Sequence, residues 1–193
     1  MPRPDQEIHI PALAVWTPED GLLGALAPLG LAIAAGTALV IDLDVGGPRY
    51  PGDRSLADLV AGGVRRPDLE PRPGVAVLRN GGVLPSEAGE AVTALLGHHP
   101  TVVLRLPPRP APGAIPVPVV PVHLLLPGGW FPSMTGRAVY QATPAWVRMP
   151  GEGIRLPIPR TSTIGALLEG RRPPGGDRWI GAWRKAWRVP WTR

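Results

Sequence analysis

The sequence predicts an α/β protein built on a mainly parallel sheet with flanking helices. Three observations predict it. Short apolar runs at residues 37–43, 74–78 and 101–106 have strand length. Helix-like segments separate them at the spacing of strand–helix–strand units. The run TALVIDL at 37–43 is apolar at successive positions, as a strand covered on both faces must be.

In chain order, residues 8–16 read as a first strand, weakened by Pro11. Pro18, Glu19 and Asp20 resemble a helix start, with proline and acids in the first turn. Residues 21–35 follow as an apolar helix, with Gly36 placed to end it. Residues 37–43 should then lie at or near the centre of the sheet. The stretch 21–41 carries no charge and is long enough to span a bilayer. Against a span, Pro28 interrupts it, four glycines dilute it, and it ends in Asp42 and Asp44 without a basic flank. A buried helix followed by a buried strand explains it better.

Residues 46–53 (GGPRYPGD) form a loop. Ser55 can cap a short helix over 56–61, closed by Gly62. Residues 74–78 form a strand, and Asn80-Gly81-Gly82 a turn. Ser86 can cap a helix reaching Leu96, with Ala88, Ala91, Val92, Leu95 and Leu96 on one stripe. Residues 101–106 form the next strand. Seven prolines between 107 and 121 exclude a central strand there and suggest polyproline II or an edge segment. Residues 119–126 can pair at a sheet edge. Periodicity then fades until a short helix at 161–170. The expected organisation is an α/β domain over 1–126, a Gly/Pro-rich extension over 127–176 and an amphipathic tail over 177–193.

Composition excludes several chemistries. The chain of 193 residues has no cysteine, so disulfides, thiolate metal sites and cysteine nucleophiles are absent. Residues 1–10 carry Asp5 and Glu7 and no apolar stretch, and so do not read as a secretory signal. Lys185 is the only lysine among 20 basic residues; with the heavy Ala, Gly and Pro usage this suggests a GC-rich genome, so arginine abundance is no functional signal. The placement of charge is more informative. Of the net +5, residues 160–193 contribute +6, leaving the rest near neutral. A basic tail on a neutral body suggests an anionic partner or surface.

The segment 38–60 reads ALVIDLDVGGPRYPGDRSLADLV, followed by GVAVLRN at 74–80 and TVVLRLPP at 101–108. This order resembles the ParA/MinD family of P-loop ATPases, including the CpaE/TadZ proteins that position pilus assembly machinery. Asp42 and Asp44 match the family's Asp-x-Asp strand end. Ser55, Leu56, Asp58 and Leu59 match its short helix, and Pro107 and Pro108 its late proline pair. The resemblance covers residues 8–126 and implies a parallel α/β sheet with its site at the strand ends. It also implies settings such as pilus assembly, the cell envelope or division.

The departures decide the functional reading. A P-loop needs Gly-x-x-x-x-Gly-Lys-[Ser/Thr], whose amides and lysine hold the phosphates. The matching stretch, 17–24, reads TPEDGLLG, with two acids and no lysine. Arg105 stands where the resemblance implies a second magnesium-supporting carboxylate. The expectation is therefore a nucleotide-free pseudo-ATPase with no catalytic residues, no cofactor and no metal. Asp42 and Asp44 are then remnants. It would act in the cytoplasm, at most peripheral to a membrane, as a scaffold or localisation factor for a protein partner. The alternative is an unrelated small α/β enzyme with a site near Asp42, Asp44 and the loop at 46–53.

Other candidate sites fare less well. His98 and His99 lack a third ligand at regular spacing and suit a helix end. His9 and His123 lie singly in apolar stretches, and Ser86, Ser133 and Ser162 lack a nucleophile-elbow context. In the tail, Trp179, Trp183, Trp187 and Trp191 recur every four residues, which keeps the first three on one helix face over 177–188. Pro190 bends or ends the helix before Trp191. Arg178, Arg184, Lys185 and Arg188 fall on other faces. The Trp row either packs on the domain or, with the four cations, meets a partner or a membrane surface; the partner reading is favoured, and nucleic acid ranks last.

Overall fold

Residues 38–42, Ala-Leu-Val-Ile-Asp, have no polar face to turn to water, and all five are buried. The computed structural model describes residues 12–18, 21–109, 117–125, 137–142, 146–149 and 152–192. Their order is β1 (Ala12–Trp16), α1 (Leu22–Ala35), β2 (Ala38–Asp42), α2 (Leu56–Gly62), α3 (Arg66–Leu69), β3 (Val75–Leu78), α4 (Gly89–His98), β4 (Val102–Arg105), β5 (Val119–Leu125), β6 (Ala138–Ala142), β7 (Gly153–Leu156), α5 (Thr161–Leu168) and α6 (Arg178–Trp183). A 3₁₀ turn, Ala186–Arg188, follows. His9, Ser133, the acids Glu19 and Asp20, residues 8–11 of the expected first strand and residues 110–116 of the Pro-rich stretch lie outside the described residues.

Among the described residues, seven parallel strands form one sheet in the order β3-β2-β4-β1-β5-β6-β7. The mainly parallel α/β architecture expected from the sequence is thus observed. Strand alternation sorts the core into two layers. Leu13, Val15, Val40 and Val103 face α1, α5 and α6. Ala14, Leu39, Ile41, Val102 and Leu104 face α2 and α4.

α1 is buried continuously from Ala25 to Ala32. Pro28 sits inside it and forfeits one helix hydrogen bond; burial on every side holds the turn together. Gly36, at φ 96°, reverses the chain, and its N–H donates to the Ile33 carbonyl. The uncharged stretch 21–41 is therefore a helix, a turn and a strand. No helix of the described residues is long and apolar enough to cross a membrane.

Four expectations need correction. β2 lies second from the sheet edge, between β3 and β4, and β1 holds the centre. β5 is interior despite Pro121. Its pairing with β1 ends at Trp16↔Pro121, and its pairing with β6 begins at Val122↔Val139, so the missing donor falls where the strand changes partner. α4 begins at Gly89, because Leu84 accepts from the amides of Glu87 and Ala88 and closes a turn around Ser86 first. The sheet also continues into the expected irregular extension, where β6 and β7 add two parallel strands.

Candidate functional site

Parallel sheets gather the loops after their strands at one edge, and ligand sites of open α/β folds lie there. β2 ends in Asp42 and β4 ends in Arg105, and the two are register partners on adjacent strands. Equal parity along the strands points both side chains toward α1. Asp44 follows two residues later and folds back. Its N–H donates to Asp42 Oδ1 at 3.0 Å, and its own Oδ1 accepts from the Gly46 N–H at 3.1 Å.

Arg105 is 1% exposed and binds both carboxylates. Its Nη2 donates to Asp44 Oδ2 at 2.7 Å, and its Nη1 lies 3.4 Å from Asp42 Oδ2. Nη1 also donates to the Pro48 carbonyl at 2.6 Å. The guanidinium sits over the Tyr50 ring, 5.1 Å from its centroid. The Tyr50 hydroxyl donates to the Ala25 carbonyl at 2.7 Å, which pins the loop to α1; burial pushes this hydroxyl well above the ordinary tyrosine range. A side chain at Gly47 would collide with Arg105 Nη2 and Asp44 Oδ2, so glycine is what lets the loop close over the charges. Asn80 completes the floor. Its amide donates to the Asp42 and Val83 carbonyls, and its Oδ1 accepts from the amides of Gly82 and Val83.

Burial pushes the Asp42 carboxyl up to about 6, against the pull of Arg105 and the Asp44 amide. Desolvation outweighs the ion pair here because Arg105 is shared and its contact with Asp42 is the longer one. A cation approaching the two carboxylates would have to displace a guanidinium already held by two acids, a carbonyl and a ring. Among the described residues, no three His, Asp or Glu side chains converge as a metal site would require.

The structure separates the remaining candidates. His98 Nδ1 lies 2.8 Å from the Ala94 carbonyl, and His99 Nε2 lies 3.0 Å from the Asp68 carbonyl, so the two rings engage different groups. His123 is buried between Trp16 and Tyr140. Beside β3, a small open cleft of about 100 Å³ has an apolar floor of Leu39, Leu59, Ala76 and Leu95.

The indole row faces inward, which corrects the reading that gave it to a partner. Trp179 is 1% and Trp183 0% exposed, and the two rings meet edge to face at 5.6 Å. Trp179 Nε1 donates to Gln141 Oε1 at 2.9 Å, and Trp187 Nε1 to the Leu31 carbonyl at 2.9 Å. The physical reason is the apolar surface of α1, which offers these rings cover that solvent cannot. Arg178, Arg184, Lys185 and Arg188 remain exposed. The expected single helix ends as α-helix at Trp183, and the chain stays helical at Arg184 and Lys185 before tightening into the 3₁₀ turn.

Sequence reasoning missed Arg105 as a partner of Asp42 and Asp44; it placed Pro48 and Tyr50 only within the loop 46–53 and Asn80 only in a turn, without their contacts to the cluster. One signal was available for Arg105. A lone arginine in the otherwise apolar strand TVVLRL cannot be buried without a carboxylate.

No family model matches the chain, and no curated protein matches its sequence. Among solved structures, it is similar to cobyrinic acid a,c-diamide synthase from Mycobacterium smegmatis with bound ATP analog and magnesium. That alignment covers 90% of this chain and 91% of that chain at 15% identity, with a TM-score of 0.44. The same synthase with bound ADP and magnesium aligns over 51% of each chain, so this chain spans about half of it there, at 18% identity and a TM-score of 0.38.

Proposed function

We propose that this chain is a non-catalytic α/β protein, a pseudo-ATPase by its resemblance to the ParA/MinD family, that works as a scaffold or localisation factor by holding a partner protein. The observation that supports this reading is the closed charge cluster of Asp42, Arg105 and Asp44. Phosphoryl transfer consists almost entirely of positioning and neutralising charge with a metal ion and basic groups. Both carboxylates that could orient a metal are already bound to Arg105. The stretch 17–24, which the resemblance aligns with the P-loop, reads TPEDGLLG and has no lysine to neutralise phosphates. The residues present do not fit a magnesium–nucleotide.

Thermal melting with millimolar Mg²⁺-ATP tests the proposal. A ligand at about 100 times its Kd stabilises the native state by about 2.7 kcal/mol. That would raise the Tm of a chain this size by roughly 5–10 °C. The expected result is an unchanged Tm; a magnesium-dependent rise of that size would overturn the reading.

A further inference from the structure

The C-terminal segment presents two chemically opposite faces, and only one of them is used by the fold. Arg184 and Lys185 keep right-handed helical backbone angles between α6 and the 3₁₀ turn, so residues 178–188 follow one nearly continuous helical path. At about 100° per residue, Trp179, Trp183, Trp187, Ile180 and Ala186 fall within one arc. This arc packs on α1 and the sheet. Arg178, Lys185, Arg188 and Arg184 fall on the opposite side, within an arc of about 120° and along about 15 Å of axis. All four are exposed, and none forms an ion pair among the described residues. Gly181 lies in the middle of this strip and leaves it flat.

We propose that this cationic strip is a docking surface for an acidic face of a partner protein. The inference rests on the partner-holding reading above and gives that partner its chemistry. Three considerations choose protein over other anions. A helix that lies in a lipid interface must give its apolar face to the bilayer, and here that face is spent on the core. The strip carries no exposed aromatic side chain on which nucleic acid bases could stack. Outside residues 160–193 the chain has a net charge of −1, so the body of the molecule adds no net positive charge to attract a phosphate backbone. Three guanidinium groups and one ammonium suit carboxylates, which arginine grips in bidentate fashion. Exposed charge pairs of this kind govern encounter rate and selection against wrong partners more than raw affinity.

The test uses the full chain and a fluorescent helical peptide carrying four Glu on one face, with a peptide of scrambled order as its control. Anisotropy is read at low and high salt. One variant combines Arg178→Gln, Arg184→Gln, Lys185→Gln and Arg188→Gln. A second removes the same charge elsewhere, with Arg72→Gln, Arg79→Gln, Arg109→Gln and Arg148→Gln. The melting temperature of each variant confirms folding. The expected result is salt-sensitive binding of the striped peptide. It weakens about tenfold or more in the strip variant, because four exposed pairs each contribute a few-fold at most, and it holds in the second variant. Equal loss in both variants, equal binding of the scrambled peptide, or tighter binding of duplex DNA or phosphatidylserine vesicles would overturn the proposal. The Mg²⁺-ATP melt is unaffected by any of these outcomes, so the two readings fail separately.

Discussion

Asp42 holds its proton more tightly folded than unfolded, because burial raises its carboxyl from 3.8 to about 6. The stability this group contributes is therefore fully present below about pH 3.8 and is lost as pH rises through about 6. Three other carboxylates act the opposite way. Asp58 is lowered by the Ser55 hydroxyl and amide. Burial raises Asp68 and Asp177, but the Arg65 amide and Arg54 overcome it at Asp68, and Thr163 with the amides of Ile180 and Trp179 at Asp177. Their contribution is lost as pH falls below the ordinary carboxylate range, so the window from pH 4 to 6 belongs to Asp42. In Asp42→Asn that slope should disappear. Wild-type stability should fall by about 2 kcal/mol across the window relative to the variant, since 1.36 kcal/mol per pH unit is reached only between the two pKa values. Urea midpoints measured at several pH values check this, and parallel profiles for the two proteins would refute it. At this scale the sequence showed the carboxylates and showed Arg105 as a misfit, but not their contact. Contact depends on the register of β2 against β4, which no local pattern encodes.

α1 and α6 meet where Gly30 faces two indoles. A Cβ at Gly30 would stand 2.5–2.6 Å from the rings of Trp179 and Trp183. Alanine in a helix interior is favoured over glycine by about 1 kcal/mol, and overpacking a closed core costs about 1–3 kcal/mol. Packing should win, because neither ring is the loose end of a flexible chain. Gly30→Ala should therefore destabilise the protein by up to about 2 kcal/mol in chemical denaturation; a stabilised variant would mean that α6 does not sit against α1 as described. Elements were legible where periodicity or capping was strong. α2 carries the reciprocal Ser55–Asp58 cap that its sequence announces. α1 and β2 were separable because Gly36 stands between them. β6 and β7 were not legible: each is only four or five residues long, and each is set among glycines and prolines that read as loop. β5 misled because proline counts against a central strand unless the pairing changes sides at that residue.

The C-terminal segment belongs to the core of the whole molecule. Asp177 caps α6 through the amides of Trp179 and Ile180 and accepts from the Thr163 hydroxyl at 2.6 Å, so it joins α5 to α6. Trp183→Ala should cost about 3–5 kcal/mol, the range for emptying a buried aromatic site, whereas the four-cation variant should unfold close to the wild type. Denaturation midpoints of the two variants distinguish an inward Trp face from an outward one. The four-residue spacing of the tryptophans was plain in the sequence, but the direction of that face was not, since a domain and a partner cover indoles by the same physics. The cluster of Asp42, Arg105 and Asp44 is what the functional account depends on. Calorimetric titration of ATP with Mg²⁺ into the wild-type protein tests it most directly. The account predicts no binding heat beyond dilution; a micromolar Kd abolished by chelating the magnesium would contradict it.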